Sequence, residues 1–197
     1  MKRVLTIAWR DLRAFYLAPA GWIVPALFLL GSGLVFMQSV FHAGHPASLR
    51  AAIGFNAIFL LLAGPAIVMG SVCEERRHGT LALLQSSPCS ALDIIFGKWF
   101  GAMGILVVLL TPTLLQVILL ECYGRPDLGE VASGYLGLLL LGGAVLASGI
   151  LASTMLSSQS VAFLTTCIGW ILVSVVLELA LPKVLGPTWR GVLVEFD

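Results

Sequence analysis

Five stretches of this chain are too long and too uniformly apolar to be the elements of a water-soluble domain: residues 20–41, 51–72, 95–120, 135–155 and 161–181. Crossing the hydrocarbon core of a bilayer takes about 20 such residues in a helix. In lipid each backbone polar group must find its partner within the segment, so runs of this kind predict helices. Composition agrees. Charged residues make up 11% of the chain, against roughly 25% in an average soluble domain. Hydrophobic residues reach 59% and mean hydropathy is +1.02. The expected fold is an all-α polytopic membrane protein: an N-terminal amphipathic helix followed by five transmembrane helices, forming one domain over residues 1–197.

Residues 1–17 are too charged to cross. On a helical wheel Lys2, Arg3, Thr6, Arg10 and Arg13 share one side, and Val4, Ala8, Leu12, Phe15 and Tyr16 the other, with Asp11 the misfit. A basic face opposite an apolar one predicts a helix lying in the membrane surface, with Arg10 and Arg13 as anchors; a cap packed on the protein is the alternative. Arg10, Asp11 and Arg13 interrupt the apolar stretch after Lys2 and Arg3, and no small-residue cleavage site follows, so no removable signal is read. Pro19 turns the chain into the first span.

With a cytoplasmic N-terminus, seven of the eleven basic residues fall on that side: Lys2, Arg3, Arg10, Arg13, Arg76, Arg77 and Lys98. Arg50, Arg125, Lys183 and Arg190 fall opposite. This satisfies the positive-inside bias, and Trp9, Trp22 and Trp99 come near the proposed cytoplasmic interface. The tail 182–197 is then outside.

The connection between the second and third spans is the most informative segment. Glu74, Glu75, Arg76 and Arg77 place four consecutive charges at the expected membrane surface. Gly79 allows a sharp turn. Leu81, Leu83 and Leu84 form a short apolar patch, and Pro88 breaks the chain again. Ser90 with Asp93 is a capping-box-like helix start. Lys98 sits where its amine can snorkel to the headgroups. Such a leucine patch suits docking into a partner's groove, or dipping into lipid.

The run Glu75-Arg76-Arg77-His78-Gly79-Thr80-Leu81, followed by Leu84, Pro88, Gly97 and Lys98, resembles the cytoplasmic loop of ABC type-2 exporter permeases. It is most similar to the small-subunit group associated with gliding motility and nitrous-oxide-reductase maturation. Residues 1–17 match that family's elbow helix, and Pro65 its second-span proline. The resemblance implies a permease half that pairs with a second permease subunit and with separate ATP-binding subunits in the cell (inner or plasma) membrane. It makes 73–94 the coupling loop, which includes Leu81, Leu84 and Pro88; Glu75 to Leu84 would be received by the ATPase, Glu74 and Glu75 or Arg76 and Arg77 would make the charged contacts, and Gly79 and Thr80 would fix the turn. ATP and magnesium would then be bound only through the partner. Gly70 stands where family members commonly carry a basic residue. The family has six spans, so the last helix is expected to be missing here.

Other chemistry is disfavoured. Gly97-Lys98 is not the end of a phosphate-binding loop, since Leu92 stands where its first glycine belongs and Trp99 where its hydroxyl belongs. No catalytic residue and no directly bound cofactor are expected. His42 and His45 form an H-x-x-H pair without a third ligand nearby, so no metal site is expected. Cys73, Cys89, Cys122 and Cys167 form no C-x-x-C pair, which argues against a disulfide framework or zinc site. A net charge of +1 gives no reason to expect nucleic acid. Within the spans, Asn56 and Gln116 are expected to hydrogen-bond between helices, while Glu178 lies near the outer end, within reach of water and Lys183. Gly143 with Ala147, and Gly149 with Ser153, are small-residue pairs for close helix contact, within the subunit or between subunits. The expected function is the permease subunit of an ABC exporter of unidentified substrate. The alternatives are a membrane scaffold or assembly factor, or an inactive truncated permease.

Overall fold

The computed structural model describes residues 2–40, 49–70, 73, 91–123, 127–156 and 158–184. Its elements are α1 (Lys2–Leu17), α2 (Ala20–Val40), α3 (Arg50–Val68), α4 (Ala91–Leu110), a 3-10 turn (Thr111–Thr113), α5 (Leu114–Tyr123), α6 (Leu128–Met155) and α7 (Gln159–Val184). No strand occurs among the described residues. The protein is an all-helical polytopic membrane protein, with five apolar spans among the described residues: Gly21–Ser39, Arg50–Val68, Leu92–Cys122, Leu128–Met155 and Gln159–Leu177.

Two departures of the spans from the apolar runs have a local cause. The fourth helix starts at Leu128 rather than residue 135, because Asp127 caps it: its Oδ1 accepts from Gly129 N at 2.8 Å. Glu130 in the first turn also complements the helix dipole. The third span runs for 31 residues, and Pro112 breaks it into α4 and α5 at the 3-10 turn.

The centre of the bundle is α3 packed on α6. Ile53 lies against Gly134, Gly64 against Val145, and Val68 against Gly149. That constant offset makes the second and fourth spans parallel, as alternating crossings require. Outside this pair, α2 packs on α3, α4 on α6, and α7 against both central helices. Each close approach needs a residue without a side chain, since a Cβ on Gly64 would stand 2.6 Å from Val145 Cγ1. Gly142, Gly143, Gly149 and Ser153 are buried within the chain. The small residues of the fourth span therefore serve packing within the subunit, and Ala147 alone of those named is exposed.

Candidate functional site

The segment 74–90 lies outside the described residues, and with it Glu74, Glu75, Arg76, Arg77, Gly79, Thr80, Leu81, Leu84, Pro88 and Ser90. His42, His45 and the side chain of Glu178 lie outside them as well. What the structure describes is how each root of that segment is held.

On the leading side, the second span ends against the fourth. Ser153 is fully buried and donates to Met69 O at 3.1 Å. Its hydroxyl oxygen accepts from Cys73 N at 3.3 Å, and the Cys73 thiol points to Ser153 O and Leu156 O. One serine hydroxyl thus holds two backbone groups where the second span ends. Ser153→Ala removes both contacts while leaving the buried groups in place, and is expected to cost about 1–3 kcal/mol in detergent unfolding. Ser153→Thr, which keeps the hydroxyl, is expected to lose less.

On the trailing side, the third span is clasped by α1. Gly97, Gly101 and Gly104 form one face of α4, following the i, i+4, i+7 helical spacing. A Cβ on Gly97 would meet Ile7 Cβ at 2.8 Å, one on Gly101 would meet Ala8 O at 3.0 Å, and one on Gly104 would meet Leu12 Cδ1 at 2.7 Å. The two helices thus run side by side in the same direction. The apolar face of α1 that the wheel assigns to lipid is turned onto these glycines instead, with Ile7 buried. Asp11 belongs on that face, because its carboxylate is 3.5 Å from the ammonium of Lys98.

Lys98 does not reach for headgroups. Its side chain is 3% exposed, that of Asp11 24%. Arg10 meets the other Asp11 oxygen, Oδ1, at 2.8 Å. Arg10 and Lys98 therefore converge on one carboxylate, whereas Arg13 lies apart, its guanidinium 5.0 Å from the centre of the Trp9 ring, in a cation–π contact. Trp9 and Trp22 are exposed. Trp99 is not: it donates to Gly143 O at 3.1 Å and ties the third span to the fourth. A cavity of about 350 Å³ separates the two roots, with Asp11, Phe15, Met69, Gly70, Lys98 and Gln159 on its walls.

The glycine face of α4 and the partnership of Asp11 with Lys98 were missed by sequence reasoning. The first was legible as a spacing. The second had a signal too, in an acidic residue on the wrong side of an amphipathic wheel.

Among the described residues, five apolar spans with a further helix packed along the third define a polytopic membrane protein. The chain belongs to the ABC-2 family of transporter proteins, whose profile matches residues 39–182. It is a permease component of an ABC transporter, and membership of that family makes it a membrane component rather than a catalytic one. No curated protein and no solved structure matches the chain.

Proposed function

We propose that this protein is the membrane-spanning half of an ABC exporter, with the connection that ends where α4 begins, residues 73–90, as the loop on which a separate ATP-binding subunit acts. The observation that carries the reading is the rooting of that loop. Met69 and Cys73 are tied to Ser153, and Lys98 is paired with Asp11. A force on a loop moves the spans only if its roots are stiff, and buried polar contacts at both ends supply that stiffness.

In this reading the N-terminus is cytoplasmic, and the exposed Trp9 and Arg13 face lipid headgroups. The charges 74–77 make charge-assisted contacts with the ATPase, Gly79 and Thr80 shape the turn, and Leu81 and Leu84 enter its groove. ATP and magnesium are bound by the partner alone, and a second permease subunit completes the pathway.

Reversing one charge tests the loop. Glu75→Lys is expected to weaken association with the ATP-binding subunit about tenfold, the scale of one interfacial charge contact. The unfolding transition of the spans should stay unchanged. Undiminished association would remove the loop from the interface.

A further inference from the structure

Two apolar clusters fill the bundle, one built around Phe28, Leu60, Leu110 and Leu138, the other around Phe36, Ala52, Leu120 and Val131. Along each of the first four spans, the residues between these clusters include a polar one. Ser32 lies between Phe28 and Phe36, Asn56 between Ala52 and Leu60, Thr113 and Gln116 between Leu110 and Leu120, and Tyr135 between Val131 and Leu138. They form a polar layer inside the bundle, and the third span breaks into its 3-10 turn at that level. A short 3-10 stretch within a long helix is a recurrent hinge geometry.

The layer is joined by two contacts. Gln116 Nε2 donates to Ser32 Oγ at 3.0 Å, linking α5 to the first span. Thr113 Oγ1 lies 2.8 Å from the Tyr135 hydroxyl, linking the break to the fourth span. Thr113 Oγ1 also lies 2.7 Å from Leu110 O, an acceptor only. A hydroxyl has one hydrogen, so Thr113 donates to Leu110 and Tyr135 must donate to Thr113. That leaves Asn56, 2% exposed, with no partner for its Oδ1. An acceptor buried without a donor is costly. Asn56 is on α3, which packs on α6, the helix of Tyr135; Ile53 and Gly134 are in contact just beside them.

We propose that the Tyr135 hydroxyl is a two-position switch: it donates to Thr113 when the third span is held as seen here, and to Asn56 Oδ1 when α5 swings about the 3-10 turn. In each position one buried acceptor gains a donor and another loses it, so the two states lie close in free energy. That is what a hinge inside a packed bundle requires. The switch does not depend on which partner the extramembrane loop engages.

The test is a distance distribution between spin labels in the full chain, held in lipid nanodiscs. One label is carried on Cys122, which is exposed, and the other on Leu140→Cys, an exposed position of α6, in a Cys89→Ser background. Cys73 and Cys167 are buried. Thr113→Val removes the first acceptor and should shift the population about fivefold toward the swung state; Asn56→Leu should shift it about fivefold the other way, the factor one net hydrogen bond carries. Thr113→Ser should match the unsubstituted chain, and Tyr135→Phe should abolish the opposition between the two variants. Identical distributions for Thr113→Val and Asn56→Leu, or shifts in the same direction, overturn the proposal. If Thr113→Val does not fold, the Asn56→Leu arm decides alone, because the oxygen it removes has no hydrogen-bond partner to lose. A distribution unchanged by it also overturns the proposal.

Discussion

Asp11→Ala is expected to destabilise the protein by about 2 kcal/mol, and Lys98→Met by clearly less. The asymmetry follows from burial. Removing one partner of a fully buried ion pair costs about 3–5 kcal/mol. The Asp11 side chain is 24% exposed, so solvent screening lowers that figure. Loss of the carboxylate takes an anionic partner at 3.5 Å from an ammonium of 3% exposure. Loss of the ammonium leaves a more exposed carboxylate that still has Arg10 at 2.8 Å, and the methionine fills the space of the lysine stem. Chemical unfolding in detergent, followed by circular dichroism, checks the order. Equal losses, or a larger loss for Lys98→Met, would mean that the pair is not what holds α1 to the third span.

Gly101→Leu is expected to be worse, about 3 kcal/mol or a failure of α1 to dock. A Cβ on Gly101 would stand 3.0 Å from the Ala8 carbonyl oxygen and 3.2 Å from its Cα. These are backbone atoms, which cannot rotate away, so the added side chain must push the helices apart, and overpacking of this kind costs about 1–3 kcal/mol even in yielding cores. Gly104→Ala is the control, because its new methyl meets only the end of the flexible Leu12 side chain. An Ile7→Cys probe, at a buried position, should become reactive to thiol reagents in the Gly101→Leu chain and stay protected in the Gly104→Ala chain. Reactivity in both chains, or in neither, contradicts the glycine face as the seat of α1.

The five spans are legible in the sequence because lipid imposes length and apolarity, and both can be counted. Their ends are less so, since Asp127 and Pro112 act through caps and breaks that an apolar run does not display. The family was readable from the motif at 75–98 and the helix before the first span. The contacts at the roots depend on register between helices far apart in the chain. Nothing in the surroundings of Ser153 announces Met69 as its acceptor, because that pairing exists only once the second and fourth spans lie parallel at one offset. Of the two polar residues expected to link spans, Gln116 does so through Ser32, whereas Asn56 has no partner for its oxygen. Composition cannot distinguish them, as the difference lies in which face of each helix meets a donor. Lys98 reads as a residue near a helix start that can extend into water, and the structure turns it inward because Asp11 is there to receive it.

The most direct measurement is mild-detergent purification of the tagged full chain from its own membrane, with mass spectrometry of the proteins that accompany it. A stoichiometric ATPase with a phosphate-binding loop should accompany the unsubstituted chain and be lost when Glu75 and Leu84 are replaced together. A clean, folded preparation with no such ATPase would mean that the loop receives no ATP-binding subunit.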